Sequence, residues 1–173
     1  MGPGEPAVEG DEARKDLIRL YLRGFGPSTI KGIQTWAGMP RLRPLVEAME
    51  ADWELNRFRG PDGAELFDLD GIDIVDGDEP APARLIAPFD NVVTAQADRR
   101  RIIDDEVYAQ LGTPNGLMPG LGLVDGRVVA RWAADDTGAV RVETLASVTA
   151  ADTRALDDEA QRLTEFNRAH PTS

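Results

Sequence analysis

Chemistry in this chain would have to come from its arginines, carboxylates and amides, because the usual nucleophiles and soft ligands are missing. The 173 residues contain no cysteine and one histidine, His170, three residues from the end. Disulfides, thiolate catalysis and cysteine-ligated zinc are therefore excluded, and a metal site in the folded body would be all oxygen. Ser28 and Ser147 have no internal histidine to activate them, which removes a Ser-His relay. No spacing pairs two carboxylates for acid and base work, and the seventeen glycines form no phosphate loop after a strand. No catalytic residue, metal ligand or cofactor site is assigned. What remains is cationic: Lys31, Arg41, Arg43, Arg57 and Arg59, then Arg99, Arg100 and Arg101. Arginine grips a phosphate or the edge of guanine through two parallel N–H groups, so these residues are the candidate nucleic-acid contacts. The competing reading is an ordinary charged surface. Glu47, Glu50, Asp52 and Glu54 crowd the first group, and Asp98, Asp104, Asp105 and Glu106 could hold the second in an internal ion-pair network.

Three helices and a hairpin are needed to aim the first group in one direction, and the sequence offers them. Leu17, Leu20 and Tyr21 recur at helical spacing between Glu12 and Arg23, and Gly24-Phe25-Gly26-Pro27 ends that helix. Ser28 or Thr29 can cap a second helix through Ile30, Ile33 and Trp36. A third, from about Arg41 to Glu50, carries Leu42, Leu45, Val46 and Met49, with Pro44 in its first turn. Residues 53–59 and 64–69 then read as two strands around Gly60-Pro61-Asp62-Gly63. This order predicts a winged helix, whose third helix enters the major groove while the wing lies along the backbone. Trp36, Trp53 and Phe58 are expected in its core.

After a linker at residues 76–83, residues 84–87 read as a strand and 91–95 as a buried apolar stretch. Arg99 to Arg101 fall in a loop or exposed turn. Strands at 121–124 and 127–133 flank Asp125-Gly126, a strong hairpin signal, and a third follows at 139–145. Thr149 or Ala150 opens a final helix to about Arg168, with Leu156, Ala160, Leu163 and Phe166 as its apolar positions. Trp132 is expected to be structural. The fold class is thus α+β: residues 12–75 form a winged helix, and residues 84–168 form a small antiparallel sheet closed by a helix. Residues 1–11 and 169–173 are expected to be disordered tails.

The formal charge of -12 opposes nucleic-acid binding as a whole-molecule property. Its distribution is uneven. Between Arg14 and Gly60 nine basic residues face five acidic ones, whereas Pro61 to Ala83 holds eight acidic residues and no basic one. No apolar run is long enough to span a membrane, and the start lacks the basic and apolar regions of a signal peptide, so a cytoplasmic protein without membrane partners is expected.

One stretch has a more specific signature. Leu85-Ile86-Ala87-Pro88-Phe89-Asp90-Asn91, then Asp98-Arg99, an Asn115-Gly116 turn and Val124-Asp125-Gly126-Arg127-Val128 ending at Trp132 resemble the C-terminal half of a bacterial family of tandem winged-helix proteins. That family includes DNA glycosylases acting on alkylated and crosslinked bases. Tyr21-Leu22-Arg23-Gly24-Phe25-Gly26-Pro27-Ser28-Thr29 followed by Trp36-Ala37-Gly38 is similar to another of its patterns, although Leu20 stands where the pattern has arginine. The resemblance runs from Leu17 to Phe166. Family members carry catalytic glutamines, or a glutamine and an aspartate, in an N-terminal region; Gln96-Ala97-Asp98 imitates that spelling in a different place. The resemblance therefore implies a C-terminal half without the catalytic region.

Three functions are expected in descending order. The first is a winged-helix DNA-binding module without catalytic activity of its own, hence not an enzyme, with double-stranded DNA as partner despite the unfavourable charge. The second is a protein-interaction or homodimerisation domain on the same scaffold. The third is a DNA glycosylase for alkylated bases.

Overall fold

The computed structural model describes residues 10–73, 77, 79–94, 97–112 and 117–170. The chain forms two compact units, one of residues 1–74 with 95–97 and the other of residues 75–94 with 98–173. The architecture is α+β, three helices and a wing-like hairpin followed by a further sheet and a C-terminal helix.

In the first unit, α1 (Asp11–Phe25), α2 (Ile30–Ala37) and α3 (Arg43–Ala51) precede a hairpin of β1 (Leu55–Arg59) and β2 (Glu65–Leu69). Each helix turns one stripe inward. Ile18, Tyr21 and Leu22 of α1 meet Ile30 and Ile33 of α2, Val46 and Met49 of α3, and Leu55 and Phe67 of the hairpin. Thr29 caps α2 by accepting from the Gly32 amide at 3.0 Å. Ser28 has another task. Its backbone exchanges hydrogen bonds with Phe67, at 3.0 and 2.8 Å, and so adds a one-residue third strand to the wing. Its buried hydroxyl lies 2.9 Å from that of Tyr21, which satisfies two polar groups in the core. Gly32 packs against this pair so closely that a Cβ there would come within 2.5 Å of the Ser28 Oγ. Trp36 is half-buried on Tyr21, at 5.4 Å between ring centroids.

Trp53 departs from expectation. Instead of packing in the core it is 83% exposed, and it precedes the strand it was expected to begin. The reason is the way α3 ends. The Glu54 amide reaches the Met49 carbonyl at 2.9 Å and the Trp53 amide reaches that of Glu50 at 3.0 Å, the paired closure of a Schellman motif. That closure requires a left-handed residue between, and Trp53 supplies it with φ 61°. α2 ends in the same manner, from the Met39 amide to the Gln34 carbonyl, but with Gly38 at φ 64°.

The second unit is a four-stranded antiparallel sheet in the order β3 (Arg84–Ile86), β4 (Gly120–Val124), β5 (Arg127–Ala134), β6 (Val140–Thr144). α6 (Ala150–Ala169) covers one face through Leu156, packed with Ala130, Leu85 and Val142, and its Ala160 is buried as well. The other face is covered by α4 (Asn91–Thr94) and α5 (Asp105–Gln110), whose Val93, Val107 and neighbouring Ile103 pack on Leu121, Leu123 and Val128. Asp125 and Gly126, at φ 48° and 71°, make the two-residue turn between β4 and β5. Thr149 caps α6 in a reciprocal box with Asp152. Phe166, expected among the apolar contacts of that helix, is 59% exposed and stacks on His170 at 4.6 Å instead. Trp132 lies across Gly120, leaving no room for a side chain there, and its indole N–H donates to the Ile86 carbonyl at 2.8 Å. One side chain on β5 thereby bridges β4 and holds β3. The expected Asn115-Gly116 turn and Gln96 lie outside the described residues.

Candidate nucleic-acid interface

The first group of cations lies on the winged unit, yet its members are differently employed. Lys31, in the first turn of α2, is exposed. Arg41 sits just before α3 with φ 63°, also exposed, and its side chain has no hydrogen bond or ion pair among the described residues. Arg43 opens α3 and makes an exposed i,i+4 pair with Glu47 at 3.3 Å, an arrangement that water screens and that a phosphate could displace. Arg59, at the end of β1, reaches the Gly63 carbonyl at 3.5 Å across the wing tip.

Arg57, although exposed, is engaged by carboxylates of its own unit. Its guanidinium contacts Glu50 at 2.5 Å and Glu65 at 2.7 Å, and lies 5.1 Å from the Phe67 ring centroid. The hydrogen bond from Arg57 keeps the Glu50 carboxyl below the usual range, and the two carboxylates in turn raise the Arg57 guanidinium. Glu54 is matched similarly, by Arg19 at 2.6 Å and Lys15 at 3.8 Å. Three of the four carboxylates on α3 and its exit, Glu47, Glu50 and Glu54, are therefore paired with arginines and a lysine of the same unit, and Asp52 is not among the described residues. Their charge does not simply add to a repulsive face.

Arg99, Arg100 and Arg101 belong to a turn of the second unit, closed by the Ile102 and Ile103 amides on the Arg99 carbonyl at 2.8 and 2.9 Å. Arg99 lies over Tyr108, 4.8 Å from the ring centroid, and donates to its hydroxyl at 2.9 Å. Its Nε is buried without a hydrogen-bond partner among the described residues. Arg100 makes a forked contact with Asp98, at 2.6 Å from its terminal nitrogen. The side-chain hydrogen bonds, followed by the Arg100 amide, hold the Asp98 carboxyl down at about 2. The carbonyls of Arg100 and Arg101 both accept from Arg127 at 3.2 Å, and Arg127 also pairs with Asp104. In the sequence Arg127 marks only a hairpin position, because its partners are 23 to 27 residues away. Among the described residues no group of acidic or histidine side chains could hold a metal ion, and no helix is long and apolar enough to cross a membrane.

A family model described as DNA glycosylase AlkZ-like matches residues 2–166. The chain belongs to the AlkZ-like DNA glycosylase family. Among solved structures, Streptomyces sahachiroi DNA glycosylase AlkZ is similar, with a TM-score of 0.73 and 22% identity over 95% of this chain and 45% of that one. That likeness establishes the fold. A stretch of 86 residues is also 38% identical to the cell division protein FtsQ of Mycolicibacterium smegmatis, covering 44% of this chain and 25% of that protein. The chain thus spans less than half the length of either relative.

These findings correct three expectations. The family match is not confined to a C-terminal fragment, since it runs through nearly all of the chain, from residue 2 to residue 166. The same match overturns the reading of a DNA-binding module without chemistry. With it goes the expectation that the protein is not an enzyme, because the matched family and the solved fold are those of glycosylases.

Proposed function

We propose that the protein is a DNA glycosylase acting on alkylated bases, with the winged unit meeting the duplex. The observation that carries this reading is the family match across residues 2–166. The chemistry is compatible with a chain that has one histidine and no cysteine. A purine alkylated on a ring nitrogen already carries positive charge and leaves the sugar without being protonated. The protein then has to bind the strand, expose the nucleotide and stabilise the oxocarbenium-like sugar until water adds to the sugar carbon that lost the base, tasks that amides, carboxylates and fixed dipoles perform.

In this reading Lys31, Arg41, Arg43 and Arg59 contact phosphates or base edges, while Arg57 holds the wing to α3 through Glu50 and offsets the charge of that carboxylate. Arg99, Arg100 and Arg101 share one turn of the second unit and would grip phosphate from there. The test is incubation of the full chain with duplex DNA carrying one 7-methylguanine, followed by alkaline cleavage of abasic sites. Strand breaks at the alkylated position, absent from unmodified duplex, are expected. No base release at stoichiometric protein would overturn the assignment.

A further inference from the structure

Trp53 is the most exposed large apolar side chain among the described residues and sits where the backbone least tolerates it. Its φ of 61° is a left-handed conformation in which a Cβ crowds the carbonyl, and bulky residues there are genuine outliers. Glycine fills the corresponding place after α2. Burial does not compensate for the strain at Trp53, since 83% of the residue faces solvent. The hydrogen bonds from the Trp53 and Glu54 amides back into α3, and from the Asp70 amide to the Glu54 carbonyl at 2.9 Å, fix the residue rigidly at the helix exit.

The surroundings favour a nucleic-acid partner more than the sequence suggests. Glu50 and Glu54, on either side of Trp53, are ion-paired to Arg57 and to Arg19 with Lys15, which leaves Asp52 as the one exposed carboxylate beside the ring without an ion pair among the described residues. At the opposite end of α3 stands Arg41, likewise left-handed, exposed and unpaired among the described residues. A nine-residue helix is about 13 Å long. α3 therefore presents a cation at one end and an aromatic face at the other, the two groups that hold an unstacked strand by phosphate and by base.

We propose that Trp53 stacks on a DNA base left without its neighbour when the target nucleotide is extruded, with Arg41 anchoring the backbone at the other end of α3. The proposal rests on the glycosylase reading for its ligand. Extrusion breaks the base stack, and an aromatic ring offered from a rigid backbone recovers part of the lost stacking whatever the sequence.

The test uses the full chain and two duplexes of equal length, one fully paired and one containing a single tetrahydrofuran abasic analogue. Wild type is expected to bind the abasic duplex more tightly, with quenching of tryptophan fluorescence. Trp53→Ala should lose most of the quenching and about tenfold or more of the affinity for the abasic duplex. Trp53→Phe should keep most of the affinity, and Arg41→Ala should weaken both duplexes alike. Trp53→Gly, which relieves the backbone, provides a well-folded second variant and should behave as Trp53→Ala. Unchanged preference for the abasic duplex in Trp53→Ala and Trp53→Gly overturns the proposal. So does a Trp53-dependent homodimer by light scattering, which would assign the ring to a protein contact. Base release without any Trp53 effect sinks this inference alone. A Trp53-dependent preference without base release sinks the glycosylase reading alone.

Discussion

Glu50 and Arg57 show how single residues redefine the meaning of a charge run. Counted along the chain, the acids around α3 speak against a polyanionic ligand. Placed in space, Glu50 is held by Arg57 and Glu54 by Arg19, so the carboxylates organise the wing. Arg57→Ala should therefore loosen the hairpin as well as weaken DNA binding, and amide exchange along β1 and β2 would report the first effect separately. Asp98 makes a sharper case. Its folded-state pKa of about 2 lies below the ordinary 3.8, so the contribution of its contacts with Arg100 is complete above 3.8 and is lost as pH falls through about 2. A carboxyl-carbon NMR titration should show that low midpoint, and Arg100→Ala should move it back up. Trp53→Gly is expected to raise stability by about 1 kcal/mol, because glycine occupies the left-handed position without steric cost. Urea unfolding reads this directly. A loss of stability would mean that Trp53 has packing partners it does not show.

At the scale of elements, the sequence was readable wherever a local rule decides the outcome. Thr149, a residue type suited to a helix start, opens α6, and Asp125-Gly126 announces the β4–β5 turn. Removing the Thr149 hydroxyl as Thr149→Val should cost about 1 kcal/mol and fray the first turn, visible as lost helical circular dichroism. What sequence did not disclose depends on distant partners. The strand at Ser28 exists only through Phe67, and α5 is six residues long with only Val107 buried, too short for periodicity to reveal. Trp53 was misread because its apolar character and alternation with Leu55 suggest a strand, whereas the left-handed end of α3 is normally signalled by glycine. Gly32 is another such case: its small size matters because Tyr21 and Ser28 meet beside it. Ser28→Ala should leave the buried Tyr21 hydroxyl unpaired and cost about 1–3 kcal/mol, measurable by thermal or urea unfolding.

For the whole molecule, a net charge of -12 sets the terms on which DNA can be approached. Association should be slower than for a basic protein of this size and its salt dependence shallower, since only a local group of cations displaces counterions. Substituting Lys31 or Arg41 by alanine is expected to reduce the slope of log affinity against log salt by about one for each contact removed. Fluorescence anisotropy over a range of salt concentrations checks this, and an unaltered slope would remove that residue from the interface. The candidate contacts were legible as residue types, but their division into outward-facing and internally engaged arginines was not. That division depends on which carboxylate each guanidinium reaches after folding.

Trp132, resting on Gly120 and donating to Ile86, also gives the second unit an internal clock. Its indole proton can trade with deuterium once the hydrogen bond to β3 opens. The exchange lifetime of that single resonance would therefore time that opening, whatever happens at the wing.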